Sequence, residues 1–317
     1  MTRRSEPLTT PHDVLRERAR YYPAPADPAP SVDFLDREGE RRDDPSSRPI
    51  QIWGLGLMGL SLATALLAEG FTVFGQDADE GAEAYARLQG VHIGIVRDPS
   101  YCVLAVPPDA VEAALAEAWP YLACDTVLTD LTSVKGRVLP LLSKLPDSQP
   151  VVSSHPMAGN EQGGRLSFRP DLFRDRLWAL IPVPGHPVPW GAMARLVGPL
   201  GARLTAVDGE HHDRIAAVTS HVPYVSALAL SSLLASLPDE GRGLLGPGFL
   251  GATRTAQAPS ALWSEILLAN RESVTGALSA LRRELKRWED ALDTGSSSEL
   301  ARRIEAVRVR RRALSGG

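Results

Sequence analysis

Three glycines between a strand pattern and a helix pattern constrain the fold of this chain of 317 residues more than any other feature. Gly54, Gly56 and Gly59 follow the apolar residues 51–53, and residues 60–69 can continue as a helix. In a G-x-G-x-x-G turn of this kind, the first glycine permits the turn, the second lets backbone approach a pyrophosphate, and the third lets helix and strand pack. The segment therefore predicts a dinucleotide-binding βαβ unit with phosphate at the helix N-terminus.

An acidic residue follows where such a unit binds the adenosine ribose. A second strand pattern covers residues 71–76, and Asp77 stands 18 residues after Gly59. Its carboxylate would accept hydrogen bonds from the ribose hydroxyls, whereas a 2′-phosphate would meet like charge with no cation in the next two residues. The predicted cofactor is therefore NAD rather than NADP. The other residues predicted to line the cofactor site are Leu57, Met58, Val106 and Pro107.

Short apolar runs alternate with helical stretches through the first two thirds of the chain. Strand patterns lie near residues 51–53, 72–75, 102–106, 126–131, 151–154, 177–183 and 203–207. Strands that alternate with helices form parallel sheets covered on both faces. Beyond residue 207 the patterns are helical, near residues 210–237, 261–292 and 300–314. The predicted fold is α/β, a Rossmann-type, mostly parallel, doubly wound sheet followed by an all-α C-terminal dimerisation domain.

Three segments follow from these patterns. Residues 1–49 hold eight prolines and little periodic hydrophobicity, which predicts a flexible leader with a short helix near residues 12–21. Residues 50–207 are the predicted dinucleotide-binding domain, and residues 208–317 are the predicted helical substrate and dimerisation domain.

Charge and cysteine content narrow the class of protein. A formal net charge of −4 gives no reason to expect nucleic acid or an anionic membrane as partner. Cys102 and Cys124 lie in strand-like segments without a CxxC pair, which predicts reduced thiols in a cytoplasmic protein. No uninterrupted apolar run reaches ~18 residues, so a soluble protein is expected.

Polar motifs follow three of the predicted strands. They are Ala-Val-Pro-Pro at residues 105–108, Asp-Leu-Thr-Ser-Val-Lys-Gly at 130–136, and the loop 153–164 that carries His155 and Glu161. The carboxyl ends of parallel strands meet at one edge of a sheet, where ligands bind. His155 is the candidate base because imidazole transfers protons near neutral pH. The alternative is a structural histidine bonded to backbone.

These motifs resemble those of the prephenate and arogenate dehydrogenase family. The resemblance covers roughly residues 50–290, and its most specific parts are the His155 and Arg254 segments. It continues through His212-Asp213, Ser220-His221-Val222-Pro223, Gly246-Pro247-Gly248-Phe249, Thr253-Arg254, Leu262-Trp263 and Asn270. The chain differs from the family pattern at Tyr224, where a second histidine is common, and at Gly251, where an acid is common.

The resemblance implies oxidative decarboxylation of a cyclohexadienyl acid, with hydride transfer from ring C4 to nicotinamide. His155 would accept the proton of the 4-hydroxyl, and Ser133, placed at a helix start, would orient His155 or that hydroxyl. Arg254 would hold a substrate carboxylate through its planar fork. Glu161 would act in gating and in bonding within the cleft rather than by contact with a carboxylate.

His221 and Tyr224 share a helix face, and both are predicted substrate contacts. His211-His212-Asp213 contains no HExxH-type ligand set, so no metal is expected. Apolar faces in the helical domain predict a homodimer formed through it.

Prephenate is the leading substrate, and arogenate and 4-amino-4-deoxyprephenate remain alternatives that share the chemistry. A β-hydroxyacid dehydrogenase would need a lysine in the helical domain, where Lys286 stands alone. The third alternative is an NAD-binding sensor without catalysis.

Overall fold

A computed structural model describes residues 48–160, 163–236 and 245–313, and eight strands of this part form one sheet. The strands are β1 (Ile50–Trp53), β2 (Val73–Gln76), β3 (His92–Ile93), β4 (Tyr101–Leu104), β5 (Val127–Asp130), β6 (Val151–Pro156), β7 (Leu177–Ile181) and β8 (Arg203–Ala206). Their order is β3-β2-β1-β4-β5-β6-β7-β8, and all neighbours are parallel except β6 and β7. The predicted α/β class is confirmed, although β3 was missed because it has only two residues.

Helices cover both faces of this sheet. They are α1 (Leu57–Ala68), α2 (Glu80–Leu88), α3 (Val111–Ala118), α4 (Leu139–Leu142) and α5 (Trp190–Val197). One buried cluster joins α1 and α5 to the sheet, and another joins α3 and α4 to it. Strands β1, β4 and β5 are buried throughout, as parallel strands between two helical layers must be.

The chain is helical after β8. The helices are α6 (Gly209–Ala216), α7 (Val222–Ser232), α8 (Pro247–Thr253) and α9 (Ser260–Ala269). The single helix predicted near 210–237 contains a π-helical turn at Ala217–His221. Pro223 follows that turn, and its missing N–H removes one α-helical hydrogen bond, which is a local reason for wider winding there.

The helical run at residues 209–235 is long and apolar enough to cross a membrane by length and composition. His212 and Asp213 in its first turns are nevertheless buried and hydrogen-bonded to the sheet domain. A buried polar pair with partners in the folded domain assigns this run to a globular unit.

Two compact units divide the chain, Met1–Asn270 and Arg271–Gly317. The second unit contains α10 (Arg271–Asp293) and α11 (Ser297–Ala313), and Arg303 Nη1 donates to the carbonyl of Arg287 at 3.1 Å. The helix predicted over 261–292 is thus two helices, which separate at Asn270. The predicted boundary between residues 207 and 208 stays a prediction. The predicted leader lies outside the described residues except for Arg48 and Pro49.

Candidate active site

The glycine turn has the geometry that a bound dinucleotide requires. Gly54 has a φ of +91°, and a Cβ there would lie 2.6 Å from the Ala105 carbonyl oxygen. A Cβ on Gly59 would lie 1.8 Å from the Gly54 carbonyl oxygen, so helix and turn touch through backbone. A Cβ on Gly56 would meet nothing within 4 Å. The space beside Gly56, at the N-terminus of α1, is therefore open for a pyrophosphate.

Asp77 lies directly after β2, at the position predicted for the ribose-binding acid. Its carboxylate accepts hydrogen bonds from the Leu55 N–H at 2.5 Å and from the Asp79 N–H at 2.9 Å. Sequence reasoning found no cation nearby, but Arg165 Nη1 lies 2.6 Å from Asp79 Oδ2. Arg165 comes from a distant part of the chain, so local inspection could not reveal it. Asp79 already pairs with this cation.

One pocket of about 860 Å³ joins the glycine turn to the polar strand ends. Its wall includes the predicted cofactor residues Gly56, Leu57, Met58, Val106 and Pro107, together with the predicted substrate-site residues Ser133, His155, His221 and Arg254. The fold therefore brings together residues that are up to 198 positions apart in sequence. Glu161 lies outside the described residues.

His155 is the first member of a hydrogen-bonded chain of side chains. Its Nδ1 lies 2.9 Å from His212 Nε2, and His212 Nδ1 lies 2.8 Å from Asp213 Oδ1. Asp213 also accepts from the backbone N–H of Lys135 at 2.9 Å and of Gly136 at 2.8 Å. The loop after β5 thus fixes Asp213, and Asp213 fixes the two imidazoles.

A buried ion pair lies beneath this chain. Lys135 Nζ lies 2.8 Å from Asp130 Oδ1 and donates to the Ser154 carbonyl at 2.7 Å, and both charged side chains are fully buried. Ser153 Oγ donates to the other carboxylate oxygen of Asp130. A buried charge is tolerated only when it is paired and hydrogen-bonded, and this pair meets both conditions. It holds the end of β5 against β6 beside His155.

Burial keeps the two histidines of the pocket wall neutral. Burial, followed by the charge of Lys135, holds the pKa of His155 well below its usual value. Burial also lowers the pKa of His221 to about 4. A neutral imidazole has one donor and one acceptor nitrogen, so each of these histidines donates one hydrogen bond from one ring nitrogen and accepts one at the other.

His221 and Tyr224 occupy different positions relative to the pocket. His221 lines the pocket and packs edge-on against Trp263, at 6.0 Å between ring centroids. Tyr224 is buried and stacked on Trp263 at 3.8 Å, and it is not among the residues of the pocket wall. Trp263 itself lines the pocket, so Tyr224 adjoins the pocket through this ring, and its predicted contact with substrate stays a prediction.

Ser133 lines the pocket, but the helix start predicted there is wrong. The segment after β5 makes a bend and turns, and α4 begins only at Leu139. The buried hydrogen bonds of Lys135 and Gly136 to Asp213 hold these turns in place of helix. Within the described residues, no group of His, Cys, Asp and Glu side chains is arranged to hold a metal ion.

Three residues that are hydrogen-bonded to the pocket histidines or to each other were not assigned roles from sequence, namely His212, Asp213 and Asn270. Asn270 Nδ2 donates to the Asp213 carbonyl at 2.7 Å and lies 3.2 Å from His221 Nδ1. The sequence signal that could have found them is the presence of polar residues within otherwise apolar helical segments, because buried polar side chains need hydrogen-bond partners. Their partners lie on other elements, and the sequence does not show which.

Two family models match the chain. Residues 62–206 match the nucleotide-binding domain of prephenate dehydrogenase, and residues 208–306 match its dimerization domain. A cyclohexadienyl dehydrogenase of Zymomonas mobilis is 29% identical over 281 residues, which are 84% of this chain and 95% of that protein. A probable prephenate dehydrogenase of Streptomyces niveus is 30% identical over 247 residues, 75% of this chain and 67% of that protein.

Solved structures give the same result. Prephenate dehydrogenase of A. aeolicus, in complex with hydroxyphenyl propionate and NAD+, matches with a TM-score of 0.76 and 25% identity over 84% of this chain and 98% of that chain. Synechocystis arogenate dehydrogenase has the same fold, with a TM-score of 0.72 and 22% identity over 84% of this chain and 99% of that chain.

The Rossmann sheet, the glycine turn and the histidine pocket define a nucleotide-dependent oxidoreductase with a helical second domain. The chain belongs to the prephenate dehydrogenase family. The resemblance noted from the sequence motifs is confirmed.

Proposed function

We propose that this protein converts prephenate to 4-hydroxyphenylpyruvate and CO2, with NAD as hydride acceptor. The observation that carries the proposal is the single pocket in which His155 and Arg254 share a wall with the glycine turn. One bound substrate must reach the cofactor, the proton acceptor and the carboxylate-binding group at the same time. This pocket meets that condition, because the residues proposed for all three line it.

NAD is the cofactor that fits the turn. The open space at Gly56 accommodates a pyrophosphate, and Asp77 at the end of β2 would accept hydrogen bonds from the ribose hydroxyls. When bound, the nicotinamide supplies a two-electron acceptor for a hydride. The relative from A. aeolicus is known in complex with NAD+.

His155 is protonated transiently during the reaction. As hydride leaves ring C4, the 4-hydroxyl becomes a carbonyl and its proton passes to the neutral imidazole of His155. The bond between ring C1 and its carboxylate then breaks, and the electron pair enters the ring as CO2 departs. The resulting phenolate oxygen takes the proton back, so the reaction transfers one hydride from the substrate to NAD+ and releases CO2 and no net proton.

The charge on the pocket wall favours a dianionic substrate. Among the described residues, the wall carries Arg169, Arg174, Arg176 and Arg254 against Asp171 and Asp175. Prephenate has two carboxylates and no cation, whereas arogenate has an added ammonium group that this wall would repel. An arginine fork binds a carboxylate through two parallel hydrogen bonds, and Arg254 is the residue of the pocket wall proposed for this role.

The test is to follow NADH formation with prephenate, arogenate and 4-amino-4-deoxyprephenate in parallel. We expect the highest kcat/KM with prephenate, and we expect Arg254→Gln to raise KM more than it lowers kcat. A higher kcat/KM with arogenate would show that arogenate, and not prephenate, is the preferred substrate. The absence of NADH formation with all three acids would contradict the proposed dehydrogenase activity.

A β-hydroxyacid dehydrogenase is not favoured by the structure. Lys286, the one lysine of the helical region, is 64% exposed and pairs with Glu289 and Asp290 on its own helix. An exposed lysine tied to neighbouring carboxylates has neither the lowered pKa nor the position of an acid/base group.

A homodimer is the proposed assembly. The matched dimerization domain carries exposed apolar side chains on α7, α8 and α9, including Leu230, Leu250 and Leu268. Apolar surface of this kind is typically covered by a partner. Neither cysteine forms a disulfide, which suits the proposed cytoplasmic location. Light scattering that gives only the monomer mass at micromolar concentration would contradict the dimer.

A further inference from the structure

Two histidines, His155 and His221, line the pocket, and in each of them Nδ1 is engaged by a neighbouring side chain. We propose that Asp213 and Asn270 fix opposite tautomers of His155 and His221, so that His155 presents an acceptor nitrogen and His221 a donor nitrogen to the substrate. The inference deepens the proposed function and rests on it for its catalytic meaning. It names Asp213, His212 and Asn270 as positioning residues.

The tautomer of His155 follows from the groups behind it. Asp213 accepts hydrogen bonds from two backbone N–H groups, so it is a carboxylate that accepts and does not donate. His212 Nδ1, at 2.8 Å from Asp213, must therefore be the protonated nitrogen. His212 Nε2 is then an acceptor, and His155 Nδ1, at 2.9 Å from it, must carry the proton. The remaining nitrogen of His155, Nε2, has a free lone pair.

The tautomer of His221 follows from a different fixed group. The backbone carbonyl of Asp213 can only accept, so the atom of Asn270 that lies 2.7 Å from it must be the amide nitrogen. The same nitrogen lies 3.2 Å from His221 Nδ1, which must then be the acceptor. His221 Nε2 therefore carries the proton. Asp213 governs both outcomes, through its side chain for His155 and through its backbone for His221.

The two tautomers suit the two ends of the substrate. The acceptor on His155 matches the 4-hydroxyl, which must lose its proton as hydride leaves. The donor on His221 matches an oxygen acceptor such as a carboxylate or the side-chain keto group. A donor at the position of His155 would hold the hydroxyl but could not remove its proton.

The first experiment reads the tautomers in the ligand-free protein by NMR of 15N-histidine-labelled enzyme. His155→Gln and His221→Gln assign the two rings. We expect His155 with its proton on Nδ1 and His221 with its proton on Nε2. Either ring in the other tautomer would overturn the inference, whether or not the enzyme turns over prephenate.

The second experiment inverts the chain with Asp213→Asn. The amide oxygen can accept from the backbone N–H groups, which leaves the amide NH2 to donate to His212 Nδ1. His212 must then carry its proton on Nε2 and donate to His155 Nδ1. His155 must in turn carry its proton on Nε2, the nitrogen that the native protein presents as an acceptor. We expect kcat to fall about 10²- to 10⁴-fold with little change in KM, together with the inverted His155 tautomer. Native kcat with an unchanged tautomer would refute the role of Asp213.

Two further variants complete the test. Asn270→Asp removes the donor to His221 Nδ1, so we expect KM to rise more than kcat falls. His211→Gln, on the exposed neighbour of His212, is the matched control and should leave both tautomers and both kinetic constants unchanged. If Asp213→Asn does not fold, the tautomers of the native protein decide the question alone. Turnover by the native protein tests the proposed function separately.

Discussion

The two halves of the pocket are built in different ways. The nucleotide half is made of backbone, where Gly54, Gly56 and Gly59 shape a turn within six residues of sequence. The catalytic half is made of side chains, where His155 depends on His212 and Asp213 from a helix that begins more than fifty residues later. Backbone turns are specified locally, whereas side-chain networks are specified by the whole fold. The two halves should therefore fail differently when they are changed.

The largest expected effect lies in the side-chain half. His155→Asn removes the proton acceptor but keeps a small polar side chain, so kcat should fall by about 10²- to 10⁴-fold with a modest change in KM. Steady-state kinetics with prephenate measures this. A variant with near-native kcat would remove His155 from its role.

The backbone half should respond through folding. Gly59→Ala places a methyl group against the Gly54 carbonyl, so we expect a lower Tm and weak NAD binding. Gly56→Ala is the matched variant, because its methyl group enters open space and should weaken NAD binding at an unchanged Tm. Equal Tm values for both variants would show that the turn is not packed as described.

This contrast also explains what the sequence revealed. The glycine turn, the seven longer strands and Asp77 could be predicted because each is encoded by neighbouring residues. The chain from His155 to Asp213 could not, because His212 and Asp213 read as an ordinary polar pair in the first turns of a helix. Arg165 beside Asp79 was missed for the same reason. The stacking of Tyr224 on Trp263 could not be predicted either, because the two rings come from different helices.

A smaller effect is expected in the pH dependence of stability. The pKa of His221 is about 4 in the folded protein, against 6.5 for an unperturbed histidine, because burial disfavours its charged form. As pH falls from 6.5 to 4, the unfolded chain binds a proton that the folded chain does not, so the free energy of unfolding decreases by up to ~3 kcal/mol.

His221→Gln should remove the contribution of His221 and leave that of the buried His155, so the decrease should be smaller than in the native protein. Urea unfolding at pH 7 and pH 4.5 measures this. His211→Gln, which changes an exposed imidazole, should keep the native pH dependence. The same pH dependence in native protein and in His221→Gln would contradict the assigned burial of His221.

The smallest effect is expected at the ribose end of the nucleotide half. Asp77→Ala removes the carboxylate that would accept from the ribose hydroxyls and repel a 2′-phosphate, so the preference for NAD over NADP should narrow by about tenfold. The ratio of kcat/KM for the two cofactors measures this. An unchanged ratio would assign discrimination to the neighbouring pair of Asp79 and Arg165.

The buried lysine near His155, the proposed catalytic residue, affects how this enzyme can be handled chemically. The chain has three lysines, and Lys135 has no exposed surface, while Lys144 and Lys286 are exposed. Amine-directed reagents such as succinimidyl esters should therefore modify only the two exposed side chains and the N-terminus. Dyes or resins attached in this way should leave catalysis intact, since neither exposed lysine lies on the pocket wall.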